Sequence, residues 1–138
     1  MSKQTKELVR KFYEAFDASD IATLETLVTP DFVQYVNSDP NPVRGLEAMK
    51  SNMGSLRGGH NNTHTIQDIF AEGDKVVVRM VMQGTVAQPL LNNPSTVGKP
   101  WKIQVCTIFR IANGKIAERW INVDLMGRLE QTGALPGA

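Results

Sequence analysis

Apolar residues keep a helical spacing along most of the chain as far as Gly58-Gly59, and a strand spacing from Thr63 onward. Between Thr5 and Phe16, the residues Leu8, Val9, Phe12, Ala15 and Phe16 fall on one side of a helical period, with Lys6, Glu7, Arg10, Lys11 and Glu14 mostly opposite. That pattern predicts an amphipathic helix with Thr5 at its N-cap. Asp17-Ala18-Ser19-Asp20 interrupts it, and Asp20 caps a shorter helix carrying Ile21, Leu24, Leu27 and Val28. Pro30 pushes Thr29 out of the α region and ends that helix. Phe32 to Val36 reads as a short strand and Asn37 to Arg44 as a polar loop. Gly45 then opens a third helix with Leu46, Met49 and Met53 on one face.

The later segments alternate. Thr63 to Phe70 does so loosely, and Glu72-Gly73-Asp74 makes a turn. Lys75 to Thr85 is a strand with Val76, Val78, Met80 and Met82 on one side, and Val77, Arg79, Val81 and Gln83 on the solvated other. Ala87 to Pro100 is a long loop of the kind that commonly serves function, expected over the mouth of any cavity. Trp101 to Ile111 is the next strand. Asn113-Gly114 then tolerates the positive φ of a two-residue primed turn. Such a turn sets Thr107 opposite Trp120, Val105 opposite Asn122 and Ile103 opposite Asp124. The apolar set Trp101, Ile103, Val105, Thr107 and Phe109 would then share a face with Glu118, Trp120, Asn122 and Asp124. Ala117, Ile121 and Val123 would share the other face with Arg119. Helices followed by a run of antiparallel strands and a short helix from Leu125 make an α+β fold, the sheet curling over the helices.

With 138 residues, 41% hydrophobic and 21% charged, the chain can bury a core without staples, and disordered or fibrous classes are excluded. A formal net charge of +1 with no Lys/Arg run argues against nucleic acid or an anionic membrane as partner. Cys106 is the single cysteine, so neither an intramolecular disulfide nor a Cys-based zinc site is available, and it reads as a small buried hydrophobe. His60 and His64 have metal-ligand spacing only on a helix. Gly58-Gly59 before them and the β pattern after them argue against that helix, so no metal is expected. No apolar run approaches the roughly 20 residues that span a bilayer, and the polar opening does not read as a signal peptide. The expected compartment is the cytoplasm.

Phe12-Tyr13-Glu14-Ala15-Phe16, Asp20-Ile21-Ala22-Thr23-Leu24 and Pro30-Asp31-Phe32-Val33 resemble the opening of the SnoaL-like polyketide cyclases. Ala71 to Val76, Gly98-Lys99, Ile108 to Ile111 and Asn113 to Ile116 look like that family's hairpins. Glu118 to Asp124, with Leu129, Gln131 and Gly133 to Pro136, is similar to its closing signature. The resemblance covers nearly the whole chain and implies one domain over 1–138. It implies the cone-shaped α+β barrel shared with nuclear transport factor two, ketosteroid isomerase and scytalone dehydratase. In that fold a strongly curved antiparallel sheet wraps the N-terminal helices and leaves an apolar cavity. It further implies aldol-type ring closure on a hydrophobic, carbonyl-bearing small molecule, in the lyase/isomerase class, with no cofactor. The family's acid/base Asp lies in the C-terminal strand, where Asp124 matches. Two departures stand out. Gln34-Tyr35 occupies the place of an Asp-His found in many relatives, and the strand Trp101 to Ile111 lacks the His that cyclases use there. Homodimers are common on this fold. The mixed set Lys102, Gln104, Cys106, Ile108 and Arg110 suits an interface through the outer sheet face.

A carboxylate in an apolar cavity suits removal of an acidic C–H proton, because desolvation raises its pKa toward neutrality. An Asp base with donors at the oxyanion is the ketosteroid isomerase arrangement. On this reading Asp124 moves the proton with Asn122 beside it. Trp120, Asn122 or Tyr35 donates toward the oxyanion, and Phe12, Phe16, Met49, Met53 and Trp101 wall a flat ligand. Other readings stay open. Asp124 equally suits the N-cap of the helix at Leu125, and residues such as Trp101 and Trp120 are more often core than ligand stackers. An epoxide hydrolase-like enzyme would need a carboxylate–Arg–carboxylate set, with Glu118 as the same-strand second acid. A non-catalytic module binding an apolar metabolite would need neither.

Overall fold

The expected stripe on the first helix is what the fold is packed on. In the computed structural model, which describes residues 2–47 and 60–135, helix α1 (Ser2–Asp17) buries Val9, Phe12, Tyr13, Ala15 and Phe16. It begins ahead of Thr5, whose hydroxyl donates back to the Ser2 carbonyl at 3.0 Å rather than capping. Asp20 caps α2 (Ile21–Leu27) as expected, accepting from the Thr23 N–H at 3.2 Å. Gly45 lies at the start of a helical turn at 45–47; the rest of the expected third helix, Met49 and Met53 included, lies outside the described residues.

The strands are β1 (Val28–Val36), β2 (Val43–Arg44), β3 (His60–Glu72), β4 (Lys75–Val86), β5 (Pro100–Ala112) and β6 (Lys115–Val123), followed by helix α3 (Leu125–Gln131). They form one sheet in the order β2-β1-β6-β5-β4-β3. Strands β3 to β6 run antiparallel in sequence, and β1 returns alongside β6 in parallel. The sheet is curved and unclosed, with β2 and β3 at its edges. This is the expected α+β architecture. Its inner face carries Val76, Val78, Met80 and Met82 of β4 and Trp101, Ile103, Val105 and Phe109 of β5, all packed in one core with α1.

Two expectations need correction here. Cys106 is exposed, because the β5 alternation that buries Val105 and Thr107 turns it to the outer face. The loop from Ala87 has structure of its own. Pro94–Thr96 forms a turn of 3₁₀-helix, and the buried Thr96 hydroxyl accepts from the Leu90 N–H at 2.9 Å. It lines no part of the cavity described below.

The third correction decides the site. Asn113-Gly114 is a two-residue turn, with φ of 52° and 73°, and it pairs Ala112 with Lys115 and Ile111 with Ile116. The next pair is Arg110 with Glu118, leaving Ala117 as an extra residue. A bulge of one residue reverses the facing of everything beyond it. Trp120 is therefore opposite Ile108, Asn122 opposite Cys106 and Val123 opposite Val105. The turn has the expected length, and the bulge overturns the expected facing. Arg119, Ile121 and Val123 face inward; Glu118, Trp120 and Asn122 face outward.

Candidate functional site

That inversion brings a charge into the core. Arg119 is 3% exposed, and its guanidinium lies 5.0 to 5.7 Å from the ring centres of Phe12, Tyr13, Phe16 and Phe109. Its Nη1 donates to Gln34 Oε1 at 2.9 Å and its Nη2 to the Tyr13 hydroxyl at 3.2 Å. The Tyr13 hydroxyl in turn pairs with Thr107 Oγ1 at 2.8 Å. The Arg119 Nε has no hydrogen-bond partner, and among the described residues no carboxylate pairs with this cation. Aromatic faces and neutral oxygens offset part of the cost of burying it.

A second polar group faces the same space. Asp17 ends α1, and its carboxylate takes both the backbone N–H of His64 at 2.8 Å and the ring Nδ1 at 2.6 Å. An ionised carboxylate only accepts, so Nδ1 carries the proton in that bond and Nε2 is the ring's basic atom. The ring is almost fully buried, packed 5.0 Å from Tyr13 and 5.8 Å from Phe16, and Nε2 has no hydrogen-bond partner among the described residues. Arg119 and His64 both line a cavity of about 320 Å³ walled by Phe16, Val36, Met82, Val105, Ile121, Val123 and Leu125. Gln34, Asn62, Asp39, Asn41 and Arg128 add polar groups. Asn62 is buried, and its amide oxygen has no hydrogen-bond partner among the described residues. Burial pulls the pKa of the Arg128 guanidinium below its ordinary value.

The expected site residues are dispersed by comparison. Asp124 is exposed and caps α3, accepting from the Gly127 N–H at 2.8 Å. A side chain at Gly127 would bring its Cβ within 2.9 Å of the Asp124 carboxyl carbon, so that glycine makes room for the cap. Asn122 is exposed on the outer face. Trp120 stacks on Tyr35 there, 5.7 Å between ring centres, and the Tyr35 hydroxyl donates to Glu118 at 3.3 Å. Phe12 is sealed in the core, Trp101 lies beneath the Arg128 guanidinium at 5.6 Å, and Phe16 alone of the described apolar candidates lines the cavity. Met49 and Met53 are outside the described residues.

The resemblances agree with this architecture. The sequence profile of the SnoaL-like polyketide cyclases matches residues 6–132. The chain belongs to that family. IdmH of Streptomyces antibioticus, a candidate polyketide cyclase, is 28% identical with a TM-score of 0.84, over 93% of this chain and 97% of its own. A candidate SnoaL-like polyketide cyclase from Jannaschia sp. CCS1 is 25% identical with a TM-score of 0.86, over 99% of this chain and 96% of its own. An LEH-like epoxide hydrolase of M. tuberculosis, 17% identical with a TM-score of 0.74 over 96% and 92%, shares the fold. Among curated proteins none matches the sequence. No helix among the described residues is long and apolar enough to cross a membrane.

Sequence reasoning passed over the residues that this SnoaL-like domain gathers at its cavity. Arg119 carried a signal, as the one charge among Ala117, Ile121 and Val123 on alternate positions of β6. His64 and Asp17 carried none, since their meeting depends on where the end of α1 meets β3, across 47 positions of sequence.

Proposed function

We propose that this protein is a cofactor-independent acid/base enzyme that closes a ring in a hydrophobic, carbonyl-bearing small molecule by aldol chemistry. The observation that carries this reading is the convergence of an Asp-oriented imidazole and a carboxylate-free guanidinium on one apolar cavity. His64 Nε2 takes a proton from the carbon next to a carbonyl, and the C–H electron pair becomes the enolate. Arg119 holds the enolate oxygen, in a site where low dielectric strengthens the attraction. Asp17 fixes the ring's tautomer and balances the imidazolium. The enolate carbon then attacks a second carbonyl of the same molecule, and His64 returns the proton to the new alkoxide. Every step moves protons and electron pairs within the substrate, so none requires a cofactor.

The epoxide hydrolase reading fits less well. Arg119 bonds to an amide and a phenol rather than to two carboxylates, and Glu118 lies on the outer face against Arg110. The direct test is deuterium uptake from D₂O into a panel of β-dicarbonyl compounds, followed by NMR. The parent is expected to exchange the carbon-bound proton, and His64→Gln to abolish exchange while Asp124→Asn retains it. Exchange by His64→Gln at the parent's rate would sink the assignment; loss of exchange in Asp124→Asn would move the base to that residue. We also propose a homodimer through the outer face around Cys106, Ile108 and Trp120. A monomer in light scattering at micromolar concentration would refute it.

A further inference from the structure

Arg128 lines the cavity but takes no part in the proton transfers above. Its guanidinium makes no hydrogen bond or ion pair among the described residues, and its Nε is buried without a partner. Of the two acids at its helix, Asp124 at the N-cap spends its carboxylate on the Gly127 N–H, and Glu130 is exposed. The one carboxylate in the lining, Asp39, accepts from the Asn41 N–H at 2.9 Å. The Trp101 ring packs beneath the guanidinium, 5.6 Å from its carbon to the ring centre. A cation short of water and lacking a carboxylate is a receptor for an anion, and the planar guanidinium favours a carboxylate.

The two arginines also differ in depth. Arg119 is tied through Tyr13 to Thr107, whereas Arg128 sits over Trp101, ~20 Å earlier along an extended strand. Both line the one cavity, so a ligand that fills it can present a different group to each cation.

We propose that Arg128 binds a carboxylate carried by the substrate at the end remote from its reacting carbonyl. The substrate class is then an apolar oxo acid rather than a neutral ketone or ester. The position of the carbonyl rests on the aldol reading; the preference for an anion at Arg128 does not.

The test uses two inert probes, 2-naphthoate and its methyl ester, titrated calorimetrically into the full chain. The carboxylate is expected to bind the parent at least about tenfold more tightly than the ester. Arg128→Gln is expected to bring the carboxylate down to the ester's affinity while leaving the ester within about twofold of its parent value. Arg128→Lys is expected to restore part of the preference, as a charge effect requires and a packing effect does not. Equal affinities in the parent, an equal loss for both probes in Arg128→Gln, or a preference abolished only by Arg119→Gln would each overturn the proposal. The catalytic reading fails separately: a carboxylate preference that depends on Arg128, alongside undiminished exchange in His64→Gln, removes the base and leaves the anion site.

Discussion

Arg110 and Arg119 flank the same hairpin and face opposite sides of the sheet. Arg110 stays on the outer face against Glu118, which also accepts from Tyr35. That hydrogen bond to Glu118 holds the pKa of Arg110 above its ordinary value. Arg119 is buried among four aromatic rings, and among the described residues its hydrogen-bond partners are an amide and a phenol. A cation beside solvent with a carboxylate contributes little in either direction. A buried cation without one is costly, and an apolar side chain of similar volume would pack there at less expense. On the proposed reading, that cost is offset by negative charge arriving at Arg119, as a ligand or as a developing enolate.

The first test reads the facing itself. Ile121 packs against the core on the inner face, and Asn122 is exposed on the outer. Ile121→Asn is expected to cost about 2–3 kcal/mol through lost apolar burial and a poorly paired amide, and Asn122→Ile to stay within about 0.5 kcal/mol. Thermal melts followed by circular dichroism read both as shifts of the midpoint. Equal losses in the two variants, or the larger loss in Asn122→Ile, would show that the bulge does not set the facing. Effects on rate follow. His64→Gln is expected to lower turnover by about 10²–10⁴ and Arg119→Met by about 10²–10³, whereas Arg110→Met stays within about twofold, since it touches no reacting atom. Equal losses in the two arginine variants would erase the distinction drawn between them.

The division of labour along the chain shows what a sequence can and cannot disclose. Alternation in β4 and β5 and the stripe on α1 placed most of the core, because each depends on periodicity within one element. The turn at Asn113-Gly114 was equally legible, since two residues with positive φ are a local property. The site was not. Its facing depends on one extra residue, Ala117, that no turn signal marks, and a single inserted position exchanged Asp124 and Asn122 for Arg119 and Ile121. The His64–Asp17 pair depends on docking α1 against β3, a tertiary event with no local trace. The N-cap alternative for Asp124 could be stated from its sequence neighbours, and that is the contact it makes.

Asp124 supplies a smaller test of the same contrast between groups committed to the fold and groups left for chemistry. Asp124→Ala is expected to cost about 1 kcal/mol of stability through the lost cap, with turnover within about threefold of the parent in the same assay. Asp124→Asn keeps a capping oxygen and is expected to leave stability nearly unchanged. Gly127→Ala is expected to destabilise as well, because its Cβ meets the folded-back carboxylate. Stability loss without rate loss assigns Asp124 to the fold. A rate loss of a hundredfold or more in Asp124→Asn would instead restore it as the base and leave His64 a packing residue.

The smallest effect is expected at the paired arginine itself. Glu118→Gln removes the charge that Arg110 and Tyr35 share but leaves a neutral acceptor at the same position. Both groups are part-exposed, so water and counterions screen what their charges gain from each other. The melting midpoint is expected to fall by no more than a few degrees at low ionic strength, and the difference from the parent to shrink further in 1 M salt, where screening acts within ~3 Å. An unpaired Arg119 predicts the opposite dependence for ligand-free stability. With no carboxylate to lose, Arg119→Met is expected to show a stability difference from the parent that salt hardly alters. Melts of Glu118→Gln and Arg119→Met across one salt series therefore compare the two faces directly. Strong salt dependence in Arg119→Met would reveal a carboxylate partner for Arg119, and with it a structural ion pair in place of a cation held for substrate.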